Sequence, residues 1–266
     1  MSNAENVAAV KAIRELTVHS DKQRREQIFS DLVRTPQGGK SAGSHPCMIF
    51  APVHYEPGYS YPLIVWLHGS GADESQLFRI MPQISMRNYV AAAPRGLTWE
   101  ETSILRPMQE DKSGKTLFST YDWPESIQAI SMAEERVFDS ITRTEEKYNI
   151  HPERIVLAGF DTGGTMALRI ASMHPKFFAG AISLGGTYPE DHAPLRNWMD
   201  VRNLPLLVSF GTRSKVLPSK KMAKQLQLYH SAGMLVSVRQ YNAAQELTKQ
   251  MLFDVNNWVM EHIVNI

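Results

Sequence analysis

The sequence predicts an α/β fold: a mostly parallel, doubly wound sheet with helices on both faces, preceded by an N-terminal helical extension. Seven short runs of apolar residues recur along the chain, and the later ones are continuous rather than alternating. Continuous apolar runs of strand length are typical of strands that are buried on both faces of a parallel sheet. Longer stretches with helical spacing separate many of these runs, and strands alternating with helices indicate parallel strands joined by crossover helices.

The predicted elements follow one another in a regular order. Strands are expected at residues 47–53, 62–68, 89–94, 154–160, 179–186, 204–211 and 235–241. Helices are expected at residues 125–148, 162–174, 218–233 and 246–264. Residues 98–124 are polar and irregular, so we expect a long loop there, and loops of that length are often functional.

Residues 1–44 are predicted to form a helical extension and a linker outside the main domain. Ala9, Ile13 and Leu16 share one helical face, and a second helical segment follows. A stretch rich in Gly, Pro and Ser then leads into the main domain, expected at residues 45–266. A chain of 266 residues is long enough to bury one sizeable core, so we expect one main domain.

Composition excludes several classes of function. The net charge is +1 and no long basic tract occurs, which argues against a nucleic-acid partner. Cys47 is the one cysteine, so no intrachain disulfide forms, and no Cys/His cluster has the spacing of a zinc site. We therefore expect no metal, no other cofactor and a cytoplasmic location. No apolar stretch approaches the ~20 residues that a membrane span needs.

The most informative stretch is "IVLAGFDTGGTMAL", residues 155–168. An apolar run enters a Gly-rich bend with Asp161 at its apex and leaves as a helix. Other landmarks are found in order at residues 67–75 ("LHGSGADES"), 93–96 ("APRG"), 121–123 ("YDW"), 148–164 ("YNIHPERIVLAGFDTGG"), 173–186 ("MHPKFFAGAISLGG") and 211–218 ("GTRSKVLP"). With these landmarks, residues 45–266 resemble the phospholipase/carboxylesterase family of α/β-hydrolases, which are close relatives of the dienelactone hydrolases.

The resemblance implies an α/β-hydrolase fold and assigns a role to each landmark. The bend would be the turn that presents a catalytic serine, but Asp161 stands at that position. The acid position in "GTRSKVLP" carries Ser214, and the base position in "YNAAQEL" carries Gln245. The backbone N–H groups of Ser70 and Thr162 would form the oxyanion hole.

These three replacements predict a degenerate triad. Serine hydrolysis needs a hydroxyl nucleophile, a base that titrates near neutrality and an acid that orients the base, whereas Gln245 accepts no proton at ordinary pH. Asp161 at a helix N-terminus is expected to be an anion, which would repel the oxyanion of an acyl-transfer intermediate. We therefore predict a pseudoenzyme that binds a ligand or acts as a scaffold. Its partner would be a small molecule, another protein or a second copy of the chain.

One alternative keeps the chain as an enzyme. Asp161 would be a nucleophile, as in haloalkane dehalogenases and epoxide hydrolases, and His192 oriented by Asp191 would replace the missing base. The plainer interpretation of these two residues is a solvated turn. An ordinary esterase would need a serine at the apex, and "GFDTGG" contains none.

Three further residues are candidates for the pocket. We expect His68 to shape the oxyanion loop. Tyr121 and Trp123 are expected either to line the pocket or to pack beneath the long loop.

Overall fold

A computed structural model describes residues 45–98, 100–101, 121–192 and 198–264. The predicted N-terminal extension and most of the predicted loop at residues 98–124 lie outside these described residues. Within the described ranges, no helix combines the length and the apolar character that crossing a bilayer requires.

Seven strands form one sheet in the order β1-β3-β2-β4-β5-β6-β7. They are β1 Cys47–Phe50, β2 Tyr61–Leu67, β3 Val90–Pro94, β4 Ile150–Phe160, β5 Gly180–Leu184, β6 Leu206–Gly211 and β7 Val236–Tyr241. β1 pairs antiparallel with β3 and every other pairing is parallel. Every residue of β2, β3, β5 and β6 is buried, as the continuous apolar runs predicted.

Helices alternate with the strands over much of the described chain. They are α1 Gln76–Ile84, α2 Ile127–Glu145, α3 Thr162–Met173, α4 Trp198–Val201, α5 Ser219–Ser231 and α6 Lys249–Val259, with a π-helical turn at Met260–Val264. Ser126 and Thr248 cap α2 and α6, because their hydroxyl oxygens accept hydrogen bonds from backbone N–H groups in the first turn of each helix. The doubly wound α/β prediction is confirmed.

Helix α1 was not predicted from the sequence. Pro82 lies inside it, and a proline within a helical pattern usually marks a helix end. The ring of Pro82 is exposed, whereas Leu77, Ile80, Met81 and Ile84 bury one face at helical spacing. Burial of that face therefore outweighs the backbone hydrogen bond that the proline cannot make. The short helix α4 was also missed.

The two faces of the sheet are covered by different helices. On one face, α1 and α6 pack onto strand residues such as Ile64, Ala91 and Val156. Helices α2 and α3 contact the sheet as well, but none of their described residues belongs to that cluster. They therefore cover the opposite face, which makes the architecture a three-layer sandwich of helix, sheet and helix.

The direction of winding reverses beside β2. The chain passes from β2 to β3 on one side and then crosses over to β4 on the other side. Such a switch point leaves a crevice at the carboxyl ends of the two central strands, where α/β proteins bind ligands. Leu67 at the end of β2 lies opposite Gly159 near the end of β4, so His68 and Asp161 both follow strand ends at this crevice.

Candidate functional site

Asp161 occupies a sharp turn between β4 and α3. Its backbone has φ 55° and ψ −124°, a conformation that costs a residue other than glycine on the order of 1–3 kcal/mol. The N–H of Asp161 donates to the carbonyl of Leu184 at 2.9 Å, and its own carbonyl accepts from the N–H of Thr165 at 3.1 Å. These two hydrogen bonds hold the turn in place and present the carboxylate at the switch-point crevice.

Two glycines allow the turn to close. A Cβ atom at Gly163 would lie 2.3 Å from the carbonyl oxygen of His68, and one at Gly159 would lie 2.4 Å from the backbone of Gly163. Neither contact leaves room for a side chain, and the atoms that would clash belong to the backbone and cannot move aside cheaply. The Gly-rich pattern therefore reflects close packing of α3 against the ends of β2 and β4.

The three residues predicted at the nucleophile, acid and base positions form a hydrogen-bonded row. The hydroxyl of Ser214 donates to Oε1 of Gln245 at 2.7 Å. Nε2 of Gln245 donates to Oδ1 of Asp161 at 2.7 Å and to the carbonyl of Gly185 at 2.9 Å. Ser214 is itself held by the N–H of Leu217, which donates to its oxygen at 3.1 Å.

The partners of Gln245 determine which way its amide faces. An ionised carboxylate and a carbonyl accept hydrogen bonds but donate none, so the amide nitrogen must face Asp161 and Gly185. The amide oxygen then faces Ser214, whose hydroxyl supplies the proton. The side chain that joins Asp161 to Ser214 is therefore an amide, which takes up no proton at ordinary pH.

Ser70 and Thr162, the predicted oxyanion-hole residues, share a carboxylate. The hydroxyl of Thr162 donates to Oδ1 of Asp122 at 2.6 Å, and the hydroxyl of Ser70 donates to Oδ2 at 3.0 Å. Asp122 thus joins the loop after β2 to the start of α3. Sequence reasoning missed Asp122, although it is the middle residue of the "YDW" landmark.

His68 is a buried residue with both ring nitrogens engaged. Nε2 accepts from the N–H of Gly96 at 2.9 Å, so Nδ1 carries the proton and donates to the carbonyl of Gly69 at 2.9 Å. Burial lowers the pKa of His68 below its ordinary value. Its side chain therefore joins the loop after β2 to the loop after β3, and Nε1 of Trp123 donates to the backbone carbonyl of His68 at 2.9 Å.

A cavity of about 150 Å³ opens at Asp161. Its walls are formed by Trp123, Glu125, Asp161, Thr162, Thr165, Gly185, Gly186, Thr187, Val216 and Lys221. Tyr121, Ser70 and His68 are not among these residues. Sequence reasoning also missed Glu125 and Lys221, because charged residues near helix starts look like solvated surface.

Asp191 and His192 are exposed and are not among the walls of the cavity. His192 has φ 60°, and the backbone carbonyl of Asp191 accepts from Nη1 of Arg169 at 2.6 Å. No hydrogen bond joins either side chain to Asp161 within the described part of the chain. Over the same residues, no group of three or more His, Cys, Asp and Glu side chains is arranged to hold a metal ion.

Comparison with known proteins places this site in a family. Residues 58–263 match the family described as phospholipase/carboxylesterase. The chain belongs to the phospholipase/carboxylesterase family. This membership confirms the resemblance that the sequence landmarks indicated.

One relative and two solved structures are similar to this phospholipase/carboxylesterase family member over most of their length. A protein of Oryza sativa subsp. japonica described as a "probable carboxylesterase" is 24% identical over 237 residues, which cover 81% of this chain and 83% of the relative. The Bacillus cereus carboxylesterase structure shares 14% identity at a TM-score of 0.61, covering 84% of this chain and 96% of that one. The Zea mays acyl-protein thioesterase 2 structure shares 17% identity at a TM-score of 0.61, covering 82% and 99%. The two structures support the shared α/β-hydrolase fold.

Proposed function

We propose that this family member has lost serine hydrolysis and uses its active-site cavity to bind a small molecule. The observation that carries the proposal is the orientation of Gln245, whose amide nitrogen faces Asp161 and whose oxygen faces Ser214. In a serine hydrolase the residue between acid and nucleophile must accept and return a proton. A glutamine amide does neither at ordinary pH.

Charge at the turn argues against acyl transfer as well. Stabilisation of an oxyanion requires donors and positive potential at the place where negative charge develops. Asp161 places a carboxylate there, and the carboxylate of Asp122 already accepts the hydroxyl protons of Ser70 and Thr162. The backbone N–H groups of the predicted oxyanion hole would therefore act beside two carboxylates.

The first test is hydrolysis of p-nitrophenyl acetate by the full chain beside Asp161→Asn. We expect both proteins to hydrolyse the ester at the rate measured without protein. Multiple turnover by the wild type that disappears in Asp161→Asn would overturn the proposal, because it would require an aspartate-based catalytic site.

A reversion experiment tests the assigned triad positions. The triple variant Asp161→Ser, Ser214→Asp, Gln245→His should gain esterase activity, since the three side chains are already within hydrogen-bond distance of their neighbours in the row. The double variant that retains Gln245 is the matched control and should stay inactive. A folded triple variant without activity would contradict the assignment of these positions.

The aspartate-nucleophile alternative is supported by the strained, presented backbone of Asp161. Attack on an alkyl halide or an epoxide would form an ester at Asp161, and water would have to be activated to release the product. Intact-mass spectrometry after incubation with both reagent classes distinguishes the two functions. An adduct that Asp161→Asn abolishes would favour this alternative over the binding function.

A further inference from the structure

Three charged residues line the cavity, and an ion pair neutralises one of them. Glu125 forms an ion pair with Arg169, whose side chain is buried. Asp161 and Lys221 also line the cavity, but within the described part of the chain neither has an oppositely charged partner within 4.0 Å. After the Glu125 pair is set aside, one anion and one cation face the same small space.

Both groups have unused hydrogen-bonding capacity. An ionised carboxylate offers about four acceptor positions, and among the described residues Nε2 of Gln245 is the one donor to the side chain of Asp161. The ammonium group of Lys221 offers three N–H donors. A ligand that places a cation at Asp161 and an anion at Lys221 would complete both sets.

We propose that the cavity binds a small zwitterion, a molecule that carries a protonated amine and a carboxylate. This proposal rests on the binding function proposed above and names its ligand class. The amine donates to the carboxylate of Asp161, and the carboxylate accepts from the ammonium of Lys221. Trp123 and Val216 supply apolar surface for the carbon chain between them.

Size and selectivity follow from the same walls. A water occupies ~10–15 Å³ of such space, so the cavity of about 150 Å³ admits a ligand of roughly ten heavy atoms. A simple amine would be attracted by Asp161 but repelled by Lys221. A simple carboxylate would be attracted by Lys221 but repelled by Asp161. A zwitterion avoids both repulsions, so it should bind more tightly than either single-charge compound of similar length.

Isothermal titration calorimetry on the full chain tests this selectivity. The probes are glycine, β-alanine and γ-aminobutyrate, with propylamine and propionate as single-charge compounds. We expect at least one aminocarboxylate to bind at least about ten-fold more tightly than both single-charge probes. Equal affinities for zwitterions and single-charge probes, or no heat of binding from any aminocarboxylate, would overturn the proposal.

Charge-removing variants locate the two contacts. Asp161→Asn and Lys221→Gln should each weaken binding of the preferred aminocarboxylate by at least about ten-fold. Lys220→Gln is the matched control, because Lys220 precedes Lys221 in the same helical turn but does not line the cavity. Wild-type affinity in Lys221→Gln, or equal losses in Lys220→Gln and Lys221→Gln, would contradict the assigned site.

Failure of this inference is separable from failure of the proposed function. Absence of aminocarboxylate binding in a protein without ester turnover would overturn the ligand class and leave the non-hydrolytic function standing. Ester turnover that depends on Asp161 would overturn the proposed function, and the titrations would then decide the ligand class by themselves.

Discussion

Replacing Gln245 with glutamate exchanges one amide nitrogen for an oxygen at nearly constant shape. The nitrogen donates to Oδ1 of Asp161 at 2.7 Å, so Gln245→Glu places two carboxylates in contact. With an effective dielectric constant of 20, two unit charges at this distance repel by about 6 kcal/mol. This repulsion therefore favours protonation of one of the two carboxylates in the folded variant.

Protonation limits the part of the stability loss that comes from repulsion between the two carboxylates. Keeping a glutamate with an ordinary pKa of about 4.3 protonated costs about 3.7 kcal/mol at pH 7 and about 1 kcal/mol at pH 5. Since both values are below the repulsion, the folded pair should hold one proton, which the carboxyl of Glu donates to its neighbour. The folded variant then binds more protons than the unfolded chain above about pH 4.3, so its stability falls as pH rises.

Urea unfolding at pH 7 and pH 5 measures this difference. We expect Gln245→Glu to be less stable than the wild type by up to about 3–4 kcal/mol at pH 7 and by about 1 kcal/mol at pH 5. Adding Asp161→Asn should restore the part of the loss that comes from charge repulsion, because the asparagine amide donates to the new carboxylate, whereas the carbonyl of Gly185 still lacks its donor. Equal stability of the single variant and the wild type at pH 7 would refute the contact between residues 161 and 245.

Three further perturbations test the surrounding structure. Asp122→Ala removes the acceptor shared by two hydroxyl groups and should lower the free energy of unfolding in urea by about 1–3 kcal/mol; an unchanged midpoint would contradict the bridge. Gly163→Ala should lower the free energy of unfolding by roughly 3 kcal/mol or more, because its Cβ would lie 2.3 Å from a backbone oxygen. Gly58→Ala is the control: a Cβ there has nothing within 4 Å, so stability should change by about 0.5 kcal/mol or less. Similar melting temperatures for the two variants would refute the close packing. Burial lowers the pKa of His68, so below about pH 6.5 the unfolded chain takes up a proton that folded His68 does not, and the wild type should lose stability as the pH falls below about 6.5. His68→Asn should flatten that part of the stability profile, and an identical slope would mean that another group is responsible.

Much of the fold could be predicted from local pattern. Buried parallel strands carry apolar residues on both faces, and all seven strands were predicted from runs of apolar sequence, with ends that coincide with the observed ones or differ by up to four residues. Helix α1 was missed because Pro82 interrupts a helical pattern that packing against α6, β1 and β3 makes stable. At α1 the proline disfavours a helix, whereas burial of the apolar face favours one, and burial is the larger effect.

The site was predictable in part. The turn at Asp161 has a local signature, because a backbone that closes on itself requires glycines at fixed offsets. Ser214 and Gln245 were found only through landmarks of the family. Ser214 lies 31 positions from Gln245, and Gln245 lies 84 positions from Asp161, so no local sequence pattern relates them. Lys221 belongs to no such landmark, and the "YDW" landmark that contains Asp122 does not reveal its contacts with Ser70 and Thr162.

The sequence by itself determined the fold class, the family and the identities of the residues at the turn and its two partner positions. Only the tertiary structure decided that the amide of Gln245 faces the carboxylate of Asp161 and that Asp122 joins the loop after β2 to the start of α3. It also decided that Lys221, which has no charged partner among the described residues, lines the same cavity as Asp161. The physical reason is that strand order and register bring together side chains from distant loops. Apolar periodicity specifies each strand, whereas contacts across the strand ends arise only when the sheet assembles.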